Sequence, residues 1–177
     1  MNLSRSVERV KKLRIDPISD DLVRFRSSLE DHSDSDDGPE VIHALSLEGT
    51  ISLPDLTIRS VTAHASQQPY RECAASLEPM SQLVGLRVSS GFSTNVKNLL
   101  GGTAGCSHFM ALALDLAGSH TLTMYLRMRE RARLDQSDEE NGDWTRVGLS
   151  IEPRLENACI ALTSESRMIR QAKKLES

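Results

Sequence analysis

Apolar residues recur at every second position in three stretches before residue 66, and at helical spacing after Pro69. That change of period divides the chain into a β part followed by a helical part, an α/β chain of the α+β kind. In Leu22–Leu29, the side chains of Val23, Phe25 and Leu29 fall on one side, as in a half-buried strand. Val41 to Ile51 reads as a second strand with Val41, His43, Leu45 and Leu47 on one face. Pro54-Asp55 makes a turn, and Leu56 to Ala65 reads as a third strand. Consecutive strands with short connections most simply pair as an antiparallel meander. The expected architecture is therefore a three-stranded antiparallel sheet followed by helices packed on one face.

The remaining segments follow from their composition. Residues 1–18 are basic and read as an N-terminal arm, partly helical or mobile. Asp31 to Glu40 is acidic with Gly and Pro, but it lacks the ordered ligand spacing of a calcium loop and reads as a solvated connection. Tyr70 to Leu83 reads as a helix interrupted near Pro79. Asn95 to Leu100 is a short helix that stops at Gly101-Gly102. Cys106 to Ala117 is the strongest helix, with Cys106, Phe109, Met110, Ala113 and Ala117 along one stripe and Gly118 at its end. Thr121 to Leu134 continues as a helix whose arginines read as a solvated face rather than a groove for an acidic partner. A polar stretch follows, and a last helix runs from about Arg154 to Leu175. The expected division is an arm over 1–18, a core over 19–134, a polar linker over 135–150 and a C-terminal helix over 151–177.

Charge and composition exclude several function classes. With 21 Lys plus Arg against 25 Asp plus Glu, the net charge is −4, without the basic excess of a general nucleic-acid binder. Aromatic residues make up 3%, too few for a base-stacking platform. No stretch approaches the roughly 18 apolar residues of a membrane span. Met1 to Lys12 is too polar for a signal peptide, so the expected location is the cytoplasm. Cys73, Cys106 and Cys159 are odd in number and far apart, which is not a disulfide framework.

Chemistry concentrates in Gly101-Gly102-Thr103-Ala104-Gly105-Cys106-Ser107-His108-Phe109. A glycine-rich turn delivers a Cys to the start of a helix, where backbone N–H groups and the helix dipole favour a thiolate, the form that attacks electrophiles and binds metals. A phosphate-cradling loop would need a following Lys, which is absent. Positions 106 and 108 point about 200° apart on a regular helix, so both reach one metal only if the first turn is irregular. Cys73 also stands near the start of a helix, and His43 lies on the inner face of a strand. Each alone is commonly a packing residue; together they offer thiolate and imidazole ligands suited to zinc or iron. Cys159 sits on an apolar helical stripe, where packing is the simpler role. A Ser107–His108–Asp115 triad has no nucleophile elbow to support it.

The run Gly-Gly-x-x-Gly-Cys-Ser-His-Phe, preceded by Pro-x-x-x-Cys and a strand with His-x-Leu, resembles an uncharacterised bacterial domain family marked by a Gly-Cys-Thr-His motif. The resemblance covers roughly residues 18–165 and rests on His43, Pro69, Cys73, Gly85, Gly101, Gly102, Gly105, Cys106 and His108. The family usually has Asp after the strand His and Thr before the helix His, where this chain has Ala44 and Ser107. More distantly, the order of elements is similar to iron–sulfur cluster scaffolds and their zinc-bound sulfur-acceptor relatives. That similarity implies ligands at His43, Cys73 and Cys106, with Val41 where those scaffolds carry an earlier Cys.

The sequence thus points to a metal centre of His43, Cys73, Cys106 and His108, holding zinc or iron. In this reading, Cys106 and His108 are the catalytic residues of an enzyme acting on a small organic acid or an acyl or aromatic metabolite. The partners expected are a small-molecule ligand, neither nucleic acid nor membrane, and a second copy of the chain in a homodimer. Two alternatives stand beside it: a metal-free enzyme with Cys106 as nucleophile, and a non-catalytic scaffold or interaction module.

Overall fold

The computed structural model describes residues 6–35, 38–53, 55–132 and 142–174. Four long strands come first: β1 (Ser6–Ser19), β2 (Leu22–Ser35), β3 (Gly38–Ser52) and β4 (Ile58–Gln67). They form one sheet in the order β1-β2-β3-β4, antiparallel at every step. The sheet has four strands, not the three expected. The fourth is the segment read as an arm. β1 carries Arg, Lys or Glu at five of its 14 positions and buries only Ile15, so no apolar alternation announces it. It pairs residue for residue with β2, from Ser6↔Asp34 to Pro17↔Val23. Charged side chains suit an edge strand, because they discourage pairing with other chains.

The acidic stretch 31–40 is likewise not a loop throughout. It forms the end of β2 and the start of β3, with Ser35 opposite Gly38; Asp36 and Asp37 lie outside the described residues.

β2 organises the core. Val23, Phe25, Ser27, Leu29 and Asp31 occupy alternate positions and are all buried, while Arg24, Arg26 and Glu30 are exposed. Opposite them, Leu45, Leu47 and Ile51 of β3 are buried. Gly49 lies opposite Phe25. A Cβ there would run into the Ser60 carbonyl oxygen and come within 2.8 Å of the Phe25 ring, so only glycine lets the ring fill this point.

The expected helix over 70–83 is two 3-10 segments, Arg71–Ser76 and Glu78–Leu83. Glu78-Pro79 opens the second segment, whose Met80 and Leu83 are buried. Helix α1 (Phe92–Leu100) buries Phe92, Val96 and Leu100 at four-residue spacing. Helix α2 (Ser107–Asp115) buries Phe109, Leu112 and Ala113 and packs on β2 and β3. The hydroxyl of Ser27 donates to the Leu112 carbonyl at 3.3 Å, which satisfies a buried polar group on the sheet.

The chain divides into two compact units, Met1–His120 and Thr121–Ser177, with the boundary inside the first turn of α3 (Ser119–Arg131). In the second unit, Met124 and Met128 of α3 pack with Val147 of α4 (Asp143–Ile151), flanked by Trp144 and Leu155. The segment expected to be a linker thus contains a helix; residues 133–141 lie outside the described residues. The expected last helix is broken into 3-10 turns at Pro153–Leu155 and Ile160–Leu162 before α5 (Arg167–Lys174). Pro153 and the left-handed Asn157, at φ 65°, account for the break.

Candidate metal centre

The alternation of β2 carries Asp31 inward at the end of the buried row, where apolar side chains give way to a carboxylate. Across the ladder its partner is His43 of β3. The next pair is His32↔Val41, so Ile42 is an extra residue on β3, a β-bulge beside the site. Consecutive strand residues normally face opposite sides; here Ile42 and His43 both line one cleft.

The third element comes from the glycine-rich turn. Gly101 and Gly105 fold the chain tightly against the end of α1: a Cβ on either would clash with a backbone carbonyl, of Lys97 for Gly101 and of Leu100 for Gly105. Gly102 takes a left-handed conformation, φ 60°. The turn delivers Cys106 as the N-cap of α2, with extended backbone at φ −112° and ψ 135°. Because Cys106 precedes the helix, the 200° separation expected on a regular helix does not apply. Its Sγ lies 3.3 Å from His108 Nδ1.

Asp31, His43 and His108 converge. Asp31 Oδ2 is 2.9 Å from His43 Nδ1 and 3.6 Å from His108 Nε2. The two imidazole rings stand 4.1 Å apart between centroids. Arg9 of β1 completes the cluster with a fork on Asp31, Nε to Oδ1 at 2.6 Å and Nη2 to Oδ2 at 2.8 Å. The side chain of Asp31 is 8% exposed, against 44% for Arg9.

The charges follow from these contacts. The hydrogen bonds from Arg9 outweigh burial and hold the Asp31 carboxyl below its usual value. The same pair raises Arg9. Burial pushes His108 below its usual value; His43 and Arg9 add to this and Asp31 opposes it. At neutral pH, Asp31 is thus anionic and His108 a neutral imidazole with a lone pair to offer.

Among the described residues, one ligand atom from each of Asp31, His43 and His108 lies within 4.8 Å of the others, a spacing that suits a shared metal ion. Of the four residues expected to hold a metal, the structure brings His43 and His108 into this group. Cys106 touches His108 on its far nitrogen. Cys73 lines the same cleft, of about 890 Å³, from the first 3-10 segment. Cys159 is exposed and lies in the second unit. Sequence reasoning missed Asp31 and Arg9. For Asp31 the signal was present: extending the Val23, Phe25, Leu29 period by two positions places it on the inner face. Arg9 had none, being one basic residue among several in an edge strand.

No curated protein and no solved structure matches this chain. A family described as "Protein of unknown function (DUF2889)" matches residues 7–121. That span begins in β1, earlier than the expected residue 18, and ends at the start of the second unit, before the expected 165. It contains the whole sheet, the glycine-rich turn and α2, and it covers more than half of the 177 residues, so the chain belongs to the DUF2889 family.

Proposed function

We propose that this protein binds zinc or iron through Asp31, His43 and His108, and that it acts on a small organic acid or an acyl or aromatic metabolite held in the adjoining cleft. The observation that carries the reading is the convergence of three ligand atoms from β2, β3 and α2 within 4.8 Å. Two imidazoles and one carboxylate leave coordination positions open, the arrangement of a reactive rather than a purely structural site. An ion there supplies Lewis acidity, polarising a carbonyl or activating water. The chain's own residues do the rest. Ile42, Leu45, Tyr70 and Pro79 give the cleft an apolar wall for the body of a metabolite, and His43 and His108 stand at its polar end. Cys106 sets the orientation of the His108 ring through Nδ1, a supporting contact of the kind that tunes metal ligands.

Metal analysis of the purified protein tests this. About one zinc or iron per chain is expected, lost in Asp31→Asn, His43→Ala and His108→Ala and kept in Cys73→Ser. Protein that carries no metal and takes up none on titration would sink the reading.

The Cys106–His108 contact favours a second reading without metal. His108 Nδ1 faces Cys106 Sγ at 3.3 Å while Nε2 faces the Asp31 carboxylate at 3.6 Å. Cys106 would then be the nucleophile, His108 the base that takes its proton, and Asp31 the group that orients the base. Rapid iodoacetamide labelling of Cys106 that slows in His108→Ala supports this second reading; labelling that added zinc suppresses supports the first.

A further inference from the structure

The Arg9–Asp31 fork bears on how a metal could enter. Resting on the metal reading above, we propose that Arg9 and the metal ion are alternative partners of Asp31, so that the guanidinium holds the carboxylate until an incoming ion displaces it.

The argument is one of occupancy. Three nitrogens converge on Asp31 Oδ2: Arg9 Nη2 at 2.8 Å, His43 Nδ1 at 2.9 Å and His108 Nε2 at 3.6 Å. An ion bonded at about 2 Å to Oδ2 and to the two imidazoles takes the place of the hydrogen-bonding protons of Arg9 and His43. His43 can answer by moving its proton to its other nitrogen. Arg9 has no such option, because every guanidinium nitrogen is a donor and the group stays charged. A divalent ion and the guanidinium would then share one carboxylate at close range, two cations on one anion. The Nη2 contact must break.

The structure gives Arg9 the freedom to leave. It lies on the edge strand, 44% of its side chain is exposed, and a long flexible stem carries its head. Asp31 is buried and has no comparable freedom. Two positions along the same strand, Lys11 is tied to Asp115 of α2 at 2.8 Å, so β1 remains anchored while Arg9 swings. The pairing has a use for the protein. A buried carboxylate without a cation is costly, and Arg9 removes that cost before metal arrives. It also sets a threshold, since apparent affinity falls with the fraction of molecules whose carboxylate is free.

Zinc titration of the full chain, before and after substitution, tests this. Arg9→Ala is expected to bind zinc about tenfold more tightly than the parent protein. Arg9→Gln, which keeps polar contacts without the charge, is the second variant should Arg9→Ala fold poorly, and the same direction is expected. Thermal melting gives an independent readout: metal-free Arg9→Ala melts lower than the parent, and zinc raises its Tm by more. Zinc affinity unchanged or weaker in both variants would overturn the exchange and make Arg9 a support for Asp31 in the metal-bound site. Absence of zinc binding in the parent and in both variants would overturn the metal reading itself, and the exchange with it.

Discussion

His108 Nδ1 faces Cys106 Sγ at 3.3 Å, while the other nitrogen of the same ring faces Asp31. One imidazole thus joins the helix start to the sheet. If Nε2 is the metal ligand, Cys106 is its outer partner, and Cys106→Ala keeps one metal per chain while lowering zinc affinity about tenfold. Competition against a zinc chelator measures this. A complete loss of metal would instead make Cys106 a direct ligand.

Acid should destabilise the metal-free protein from two sources that act in the same direction. Burial lowers the folded-state pKa of His108 below 6.5, so the unfolded chain binds the proton more readily. That contribution is complete above about pH 6.5 and declines as pH falls toward the folded value. The Asp31 carboxyl is held below 3.8 by Arg9, so its contribution is lost only at lower pH, as the carboxylate itself protonates. Thermal melts of chelator-treated protein should show Tm falling between about pH 7 and pH 5. A flatter profile in His108→Phe would assign the first phase; an unchanged profile would remove His108 as its source.

Gly49→Ala should cost about 3 kcal/mol, the upper end for overpacking, because the added methyl meets the Ser60 carbonyl and the Phe25 ring together. Urea denaturation reads the change. A loss under about 1 kcal/mol would show that β4 can shift away from β3 at this point.

Gly105→Ala should act at a distance from the ligands. Its methyl would lie 2.8 Å from the Leu100 carbonyl oxygen, and relief of that contact moves the start of α2. Zinc affinity is expected to fall while the far-ultraviolet circular dichroism stays unchanged. Parent-like affinity would mean that the turn has slack.

Phe109→Ala should lower stability by about 3–5 kcal/mol, since the ring is fully buried on α2 next to His108. A denaturation midpoint near that of the parent would argue that α2 adds little to the core.

The legible parts of the fold were those in which apolar residues mark the period. β2 shows it through Val23, Phe25 and Leu29, and α2 through Phe109 and Ala113. β1 was illegible because an edge strand needs few buried side chains and this one places Arg and Lys along its length. The same physics hid half of the candidate site. His43 and His108 stand out as residue types, whereas Asp31 sits at the head of an acidic run whose composition suggests solvent. The alternation of β2 and the register with His43 separate it from Asp34, which falls out of phase on the same strand, is exposed and lies against Ser6. The helix breaks after residue 150 depend on the conformations of Pro153 and Asn157, which apolar spacing does not report.

Ile42 has a consequence for chains of different length. Because it is the extra residue of the bulge, a chain one residue shorter here could pair His32↔Val41 and Asp31↔His43 in an unbroken ladder. Such a chain would keep the facing carboxylate and imidazole and lose an apolar contribution to the cleft wall. A single-residue deletion at this point would therefore reshape what the cleft admits without altering the ligand set, making chain length, rather than side-chain identity, the adjustable parameter of this corner of the molecule.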